Sequence, residues 1–183
     1  RARDFTTPEP IIRAGQAALA AGRTGYTPAL GLPELREAIA GLYQQRHGLN
    51  IDPRRIVVTP GGSAALLLIS ALLVEAGRKV VMADPAYPCN RHFLRLVEGG
   101  AKLVPVGPDT QYQLDARLLE AHWDADCSAV LAASPSNPTG TLLSREQLSG
   151  LAETTSRLGG ELIVDEIYHG LTYGRDATSV LEV

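Results

Sequence analysis

Residues Ala129–Gly140 read AVLAASPSNPTG. The first five are apolar and suit a strand covered on both faces. Pro135 and Pro138 then bracket Asn137. Proline has no amide hydrogen and a fixed φ, so the strand must end at the turn. Asn137 is therefore expected in a stiffened loop just past a strand's C-terminal end. Open α/β sheets bind their ligands at that edge.

Four further short apolar runs lie on either side: Ile56–Thr59 (IVVT), Val80–Ala83 (VVMA), Lys102–Val106 (KLVPV) and Leu162–Asp165 (LIVD). Helical patterns separate them. One opens at Pro33, carries Leu35, Ile39, Leu42 and Tyr43 as its apolar stripe, and closes at Gly48. A second runs from about Gly62 to Ala76 and stops at Gly77. A third, near Ser144–Leu158, begins with Ser144 as N-cap and Gln147 three residues on, a capping box. Strands alternating with helices predict a three-layer α/β/α sandwich around a mainly parallel sheet, here of five strands.

The totals exclude several classes. The chain has 183 residues, 45% hydrophobic and 20% charged, a globular composition. A formal net charge of −3 gives no reason to expect a nucleic-acid or membrane partner. The most apolar stretch, Ala64–Val74, holds eleven residues, well short of the ~20 that cross a bilayer, and reads as a buried helix. Cys89 and Cys127 fit no metal or redox spacing and suggest a reducing, cytoplasmic setting. No metal site is expected.

If the strands are parallel, the residues just past their C-terminal ends share one edge. Thr59–Leu66 (TPGGSAAL) places Gly62 and Ser63 before an apolar helix. This is either a phosphate cradle built from backbone N–H groups or an ordinary βα turn with a serine cap. It is neither GxGxxG nor a Walker loop. Asp165, at the end of the apolar run LIVD, needs a cation or hydrogen-bond donors, or else caps the next turn. Tyr168, three residues on, reaches the same space. Tyr87, held between Pro85 and Pro88, either stacks on a ligand or packs as an aromatic edge. His169 is a candidate general base by residue type alone and otherwise reads as a partly exposed polar neighbour; Trp123 reads as packing rather than as a cofactor contact.

Taken in order, GYTPALGLPELREAIA (25–40), TPGGSAAL (59–66), DPAYP (84–88), SPSNPTG (134–140) and VDEIYHGLTY (164–173) resemble the fold-type I pyridoxal-phosphate enzymes. The resemblance is to the class I/II aminotransferases in particular, and it covers nearly the whole chain. It implies that pyridoxal phosphate rests its phosphate on Gly62, Ser63 and Ala64 and its ring under Tyr87. It further implies that Asn137, preceding a cis proline bond, and Tyr168 meet the ring's phenolic oxygen. Asp165 would keep the ring nitrogen protonated, which makes Asp165 and Tyr168 the catalytic candidates. Tyr26 resembles a tyrosine that crosses a homodimer interface to the partner's phosphate. The substrates implied are an amino acid and a 2-oxo acid.

The family's Schiff-base lysine has no counterpart here. Lys79 and Lys102 stand at the N-terminal ends of strands, and the family's substrate-binding arginine is also unmatched. The resemblance thus implies a truncated large domain, with 1–25 as an N-terminal segment of the cofactor-binding unit and 26–183 as a partial large domain. It also implies that these residues are inactive alone and leave a bare sheet edge. Two alternatives stay open: a lyase, which shares the same ring contacts, and the effector domain of a transcription regulator, which shares the fold.

Overall fold

The computed structural model describes residues 5–183. Residues 1–4, the start of the expected 1–25 segment, lie outside the described residues. Four strands form one parallel sheet: β1 (Lys79–Asp84), β2 (Gly100–Pro105), β3 (Cys127–Ala133) and β4 (Glu161–Asp165). Their order across the sheet is β2-β1-β3-β4.

That order explains the layers. Parallel neighbours need crossover helices, and right-handed crossovers put each helix on a face set by the direction of travel. The chain moves outward from β1 to β2 through α4 (Asn90–Leu96). It then returns past β1 to β3 through α5 (Ala116–His122) and on to β4 through α6 (Arg145–Arg157). The direction reverses once, so α4 covers one face while α5 and α6 cover the other.

The two cores match this division. Val81, Val130 and Ala132 pack with Leu119 of α5 and Leu148 and Leu151 of α6. Val80, Met82, Ala129 and Leu131 point the other way, toward Leu94 of α4 and Leu66 of α3 (Gly62–Leu73). Successive strand residues serve opposite faces, which is why these strands are continuously apolar. The three-layer expectation is met.

The helix ends follow local chemistry. The helix α2 (Pro33–His47) starts on its proline and closes on Gly48 at φ +69°. At α6 the Gln147 N–H donates to Ser144 Oγ at 3.2 Å, and Ser144 N–H donates to Gln147 Oε1 at 2.8 Å. Two helices of the first half-sheet region escaped the sequence reading: α1 (Glu9–Ala20), and the seven-residue α4. The equally short α5, capped by Asp115 through Leu118 N–H at 2.7 Å, escaped it as well.

Two expectations need correction. Ile56–Thr59 is extended but is not a strand, so the sheet has four strands rather than five. Among the described residues its one backbone bond to a distant segment is Val58 N–H donating to Leu30 C=O at 3.0 Å; Ile56 and Thr59 bond only within their own turns, to Pro53 and Gly61. Gly31, at φ +96°, lies so close that a Cβ there would stand 2.6 Å from the Val58 side chain. A β-branched run becomes a strand only when a ladder partner lies beside it. The apolar helix α3 also ends at Leu73, three residues early, and only Ser70 on it is fully buried. Leu72 is 80% exposed, because α3 packs by one side only.

Candidate cofactor site

The chain's one reversal of direction falls between β1 and β3, and a crevice opens there at the strands' C-terminal ends. The loop after β3 is braced from several sides. Ser134 N–H donates to Asp165 C=O at 3.0 Å, tying the ends of β3 and β4 together. Buried Gln113 donates from Nε2 to Ala133 C=O at 3.2 Å and to Thr141 C=O at 2.8 Å. Ser134 Oγ accepts from Leu143 N–H at 3.0 Å. The Asn137–Pro138 bond is cis, as are Asp84–Pro85 and Ser134–Pro135.

Asp165 takes the turn-capping role its sequence allowed, and its position borders the crevice. Its Oδ1 accepts Ile167 N–H at 3.0 Å and so caps the turn after β4. The same residue also borders a hollow of about 190 Å³. Gly62, Ser63, Tyr87, Asn137 and Tyr168 line that hollow with it. Four chain segments far apart in sequence thus reach one space.

The floor toward α3 is a helix N-terminus. Ala65 N–H, donating to Gly61 C=O at 3.3 Å, is the first of the α3 amides with a backbone partner. The Gly62, Ser63 and Ala64 amides precede the helical ladder, as the opening amides of any α-helix do. Gly61 takes φ +86°, which a side chain disfavours, to make the sharp entry. The Ala64 side chain itself does not border the hollow.

Tyr87 stands beside Ser63 and Cys89. The Cys89 side chain is the chief cause holding the Tyr87 phenol above its ordinary value of 10.0. Desolvation and nearby Tyr168 add to this, while the Ser63 hydroxyl pulls the other way. The phenol therefore stays neutral, leaving a flat uncharged ring at the wall.

Other candidates fall elsewhere. Tyr26 is fully exposed and does not reach the hollow. His169 is part-buried, with its side chain 11% accessible and Nδ1 3.6 Å from Glu166 Oε2. The reason is the turn after β4, which folds back on α2 and brings the His169 ring 5.7 Å from that of His47. Trp123 packs over Gly160 and the α5–α6 core. Lys79 pairs with Asp126 at 3.0 Å, and Lys102, in the middle of β2, pairs with Asp124. Neither lysine borders the hollow. Asn90, Pro135 and Ile167 also line it, and sequence reading missed all three. Asn90 opens a helix too short for a periodic signal.

An α/β sheet with this reversal and these strand-end turns defines a class of crevice-binding α/β proteins, and comparison with known proteins makes the class specific. Residues 2–183 match the family described as aminotransferase class I and II, and the chain belongs to it. Members of this family use pyridoxal phosphate. The chain is 43% identical over 166 residues to a valine–pyruvate aminotransferase of Mycobacterium tuberculosis, covering 91% of this chain and 42% of that protein. It is 35% identical to a probable aspartate/prephenate aminotransferase of Thermus aquaticus, covering 93% and 44%. Its fold is similar to a crystal structure of an aminotransferase from Mycobacterium tuberculosis, with TM-score 0.90, 41% identity and coverage of 96% and 48%. An aspartate aminotransferase from Thermus thermophilus with maleate gives TM-score 0.92 at 32% identity, with coverage of 98% and 47%. The chain spans a little under half the length of the curated relatives it matches.

Proposed function

We propose that the complete protein is a pyridoxal-phosphate-dependent aminotransferase that moves an amino group between an amino acid and a 2-oxo acid. The observation that carries this is the meeting of Gly62–Ser63, Tyr87, Asn137 and Asp165 around one hollow. The donor set fits the group chemically. Free amides at a helix N-terminus suit a phosphate. A carboxylate from a residue lining the same hollow suits a pyridinium nitrogen, because a nearby negative charge favours the protonated form.

When bound, pyridoxal phosphate supplies the electron sink that a substrate α-carbon needs on losing its proton. The chain's residues hold it in place. In this reading the Gly62, Ser63 and Ala64 amides bind the phosphate, Tyr87 covers one face of the ring, and Asn137 and Tyr168 donate to the phenolic oxygen. Asp165 keeps the ring-nitrogen proton in place and is, with Tyr168, a catalytic residue. Lys79 and Lys102 are engaged with Asp126 and Asp124 and neither borders the hollow, so neither is assigned the covalent role.

We read residues 26–183 as part of the large, cofactor-binding domain and 1–25 as the segment leading into it. The complete protein is read as a cytoplasmic homodimer, with the exposed Tyr26 reaching the partner's phosphate site. No helix among the described residues is long and apolar enough to cross a membrane. The relative named for valine and pyruvate makes that pair the first to assay.

The test is spectroscopic and enzymatic together. The complete gene product, given pyridoxal phosphate, should develop a visible absorption band that an amino-acid donor bleaches as its 2-oxo acid appears. A complete protein that gives no such band, or a bleached band without 2-oxo acid, would refute this function.

A further inference from the structure

Asp165 and Tyr168 line the hollow, yet the turn that carries them has little packing of its own. Its Ile167 and Leu171 side chains are exposed, and Asn137 reaches Tyr168 only across 3.5 Å. The firmer hold comes from Glu166, on the opposite face. Residues leaving β4 alternate, Ile163 packing toward the α3–α4 core and Val164 toward the α5–α6 core. Asp165 follows the first and Glu166 the second, so Glu166 does not border the hollow.

The Glu166 carboxylate instead accepts the Ser179 hydroxyl at 3.0 Å and the Val180 N–H at 2.6 Å, with His169 Nδ1 3.6 Å away. Its side chain is only 13% accessible. Hydrogen bonds to an ionised acceptor are the strong kind, and burial strengthens them further. The far end of this clamp is itself fixed. Ser179 is fully buried, and its N–H donates to Glu182 Oε1 at 2.9 Å. The same Glu182 oxygen lies 2.9 Å from His47 Nδ1 of α2, and Arg145 of α6 donates from Nη1 to the Glu182 C=O at 2.6 Å. Val180 packs against the α5–α6 core.

We propose that Glu166 is a positioning residue of the cofactor site: by clamping Ser179 and Val180 it fixes the turn that brings Asp165 and Tyr168 to the hollow. This rests on the cofactor assignment above. Glu166 touches no ligand in this role and acts through its two neighbours in the turn.

The probe is pyridoxamine 5′-phosphate, which carries the same ring and phosphate but no aldehyde and so binds reversibly. Its Kd and the ligand-free Tm are measured for the complete gene product, Glu166→Ala, Ser179→Ala and Glu166→Gln, each Kd well below that protein's Tm. Ser179→Ala cuts one of the two bonds and carries the test should Glu166→Ala fail to fold. Glu166→Gln keeps an oxygen for the Val180 N–H and an NH₂ that can donate to Ser179 Oγ. The expected result is a Kd raised about fivefold in Glu166→Ala, the scale of one lost hydrogen bond in the site, about twofold in Ser179→Ala, and unchanged in Glu166→Gln. A lowered Tm with an unchanged Kd in the alanine variants would mean a clamp that only stabilises the fold, and overturns the proposal. So does a Glu166→Gln Kd raised as far as that of the alanine variants. Failure of the unsubstituted protein to bind the probe overturns the cofactor assignment and this proposal together, whereas equal binding by parent and variants overturns only this one.

Discussion

The Asn137 side-chain amide donates to the Tyr168 hydroxyl at 3.5 Å, joining the loop after β3 to the turn after β4. The bond is long, at the weak end of the range for such contacts. Both residues border the 190 Å³ hollow on one side and a more open groove of about 400 Å³ on the other. They form a thin wall between two spaces, and the donors on that wall are held more by their own loops than by each other.

This predicts weak coupling in the empty protein and strong coupling once a shared acceptor sits between them. A double-mutant cycle of Asn137→Ala and Tyr168→Phe is expected to give near-zero coupling in ligand-free thermal stability. For pyridoxamine 5′-phosphate binding the same cycle should give about 1 kcal/mol. Strictly additive losses in binding free energy would show that the two residues do not share an acceptor.

Asp165 separates turn-building from chemistry. Asp165→Asn keeps an oxygen for the 3.0 Å bond from Ile167 N–H, so the fold and most cofactor affinity should survive. The charge beside the ring nitrogen is lost, and turnover is expected to fall about 10²–10³-fold, the scale of losing one charge-stabilising group in an active site. Thermal melting and steady-state kinetics on the same preparation check both halves. Full turnover in the variant would remove Asp165 from the assigned role.

Gly160, just before β4, tests the packing that sets this strand's position. A Cβ there would lie 2.3 Å from Trp123 Cη2 and 3.2 Å from the Ser128 carbonyl oxygen. A rigid indole and a strand backbone cannot both yield. Gly160→Ala should destabilise by about 1–3 kcal/mol, read as a lower Tm of the complete protein. A Tm within error of the parent would mean that Trp123 moves freely.

Acid should loosen the opposite edge of the sheet. The Lys102 side chain beside Asp124, with the Cys127 thiol, holds that carboxyl down at about 2, against an ordinary 3.8. A depressed folded pKa contributes stability that is complete above the unfolded value and lost as pH falls through the folded one. The window therefore runs from about pH 4 down to about pH 2. In low salt, the stability difference between the parent and Lys102→Met should shrink across that window, followed by circular dichroism. A difference that stays constant with pH would show that the pair adds nothing. The Asp124 side chain is 41% accessible, so salt should reduce the effect.

The parallel sheet, the layers and most site residues were legible because each rests on local chemistry. Apolar runs of strand length, proline and glycine punctuation and the Ser144–Gln147 capping box need no distant partner to be recognised. Sequence alone also paired Asn137, Tyr87 and Asp165 as strand-end residues, since parallel strands must end along one edge. Tertiary structure decided the rest. Ile56–Thr59 has every local mark of a strand, yet strands are made by neighbours, and Val58 meets only the Leu30 loop. The His169–His47 ring contact, which spans more than a hundred residues, exists only because a turn folds onto α2. The Glu166 clamp carried no signal at all: its bonds to Ser179 and Val180 exist only once the segment after β4 has folded back against α2 and α6.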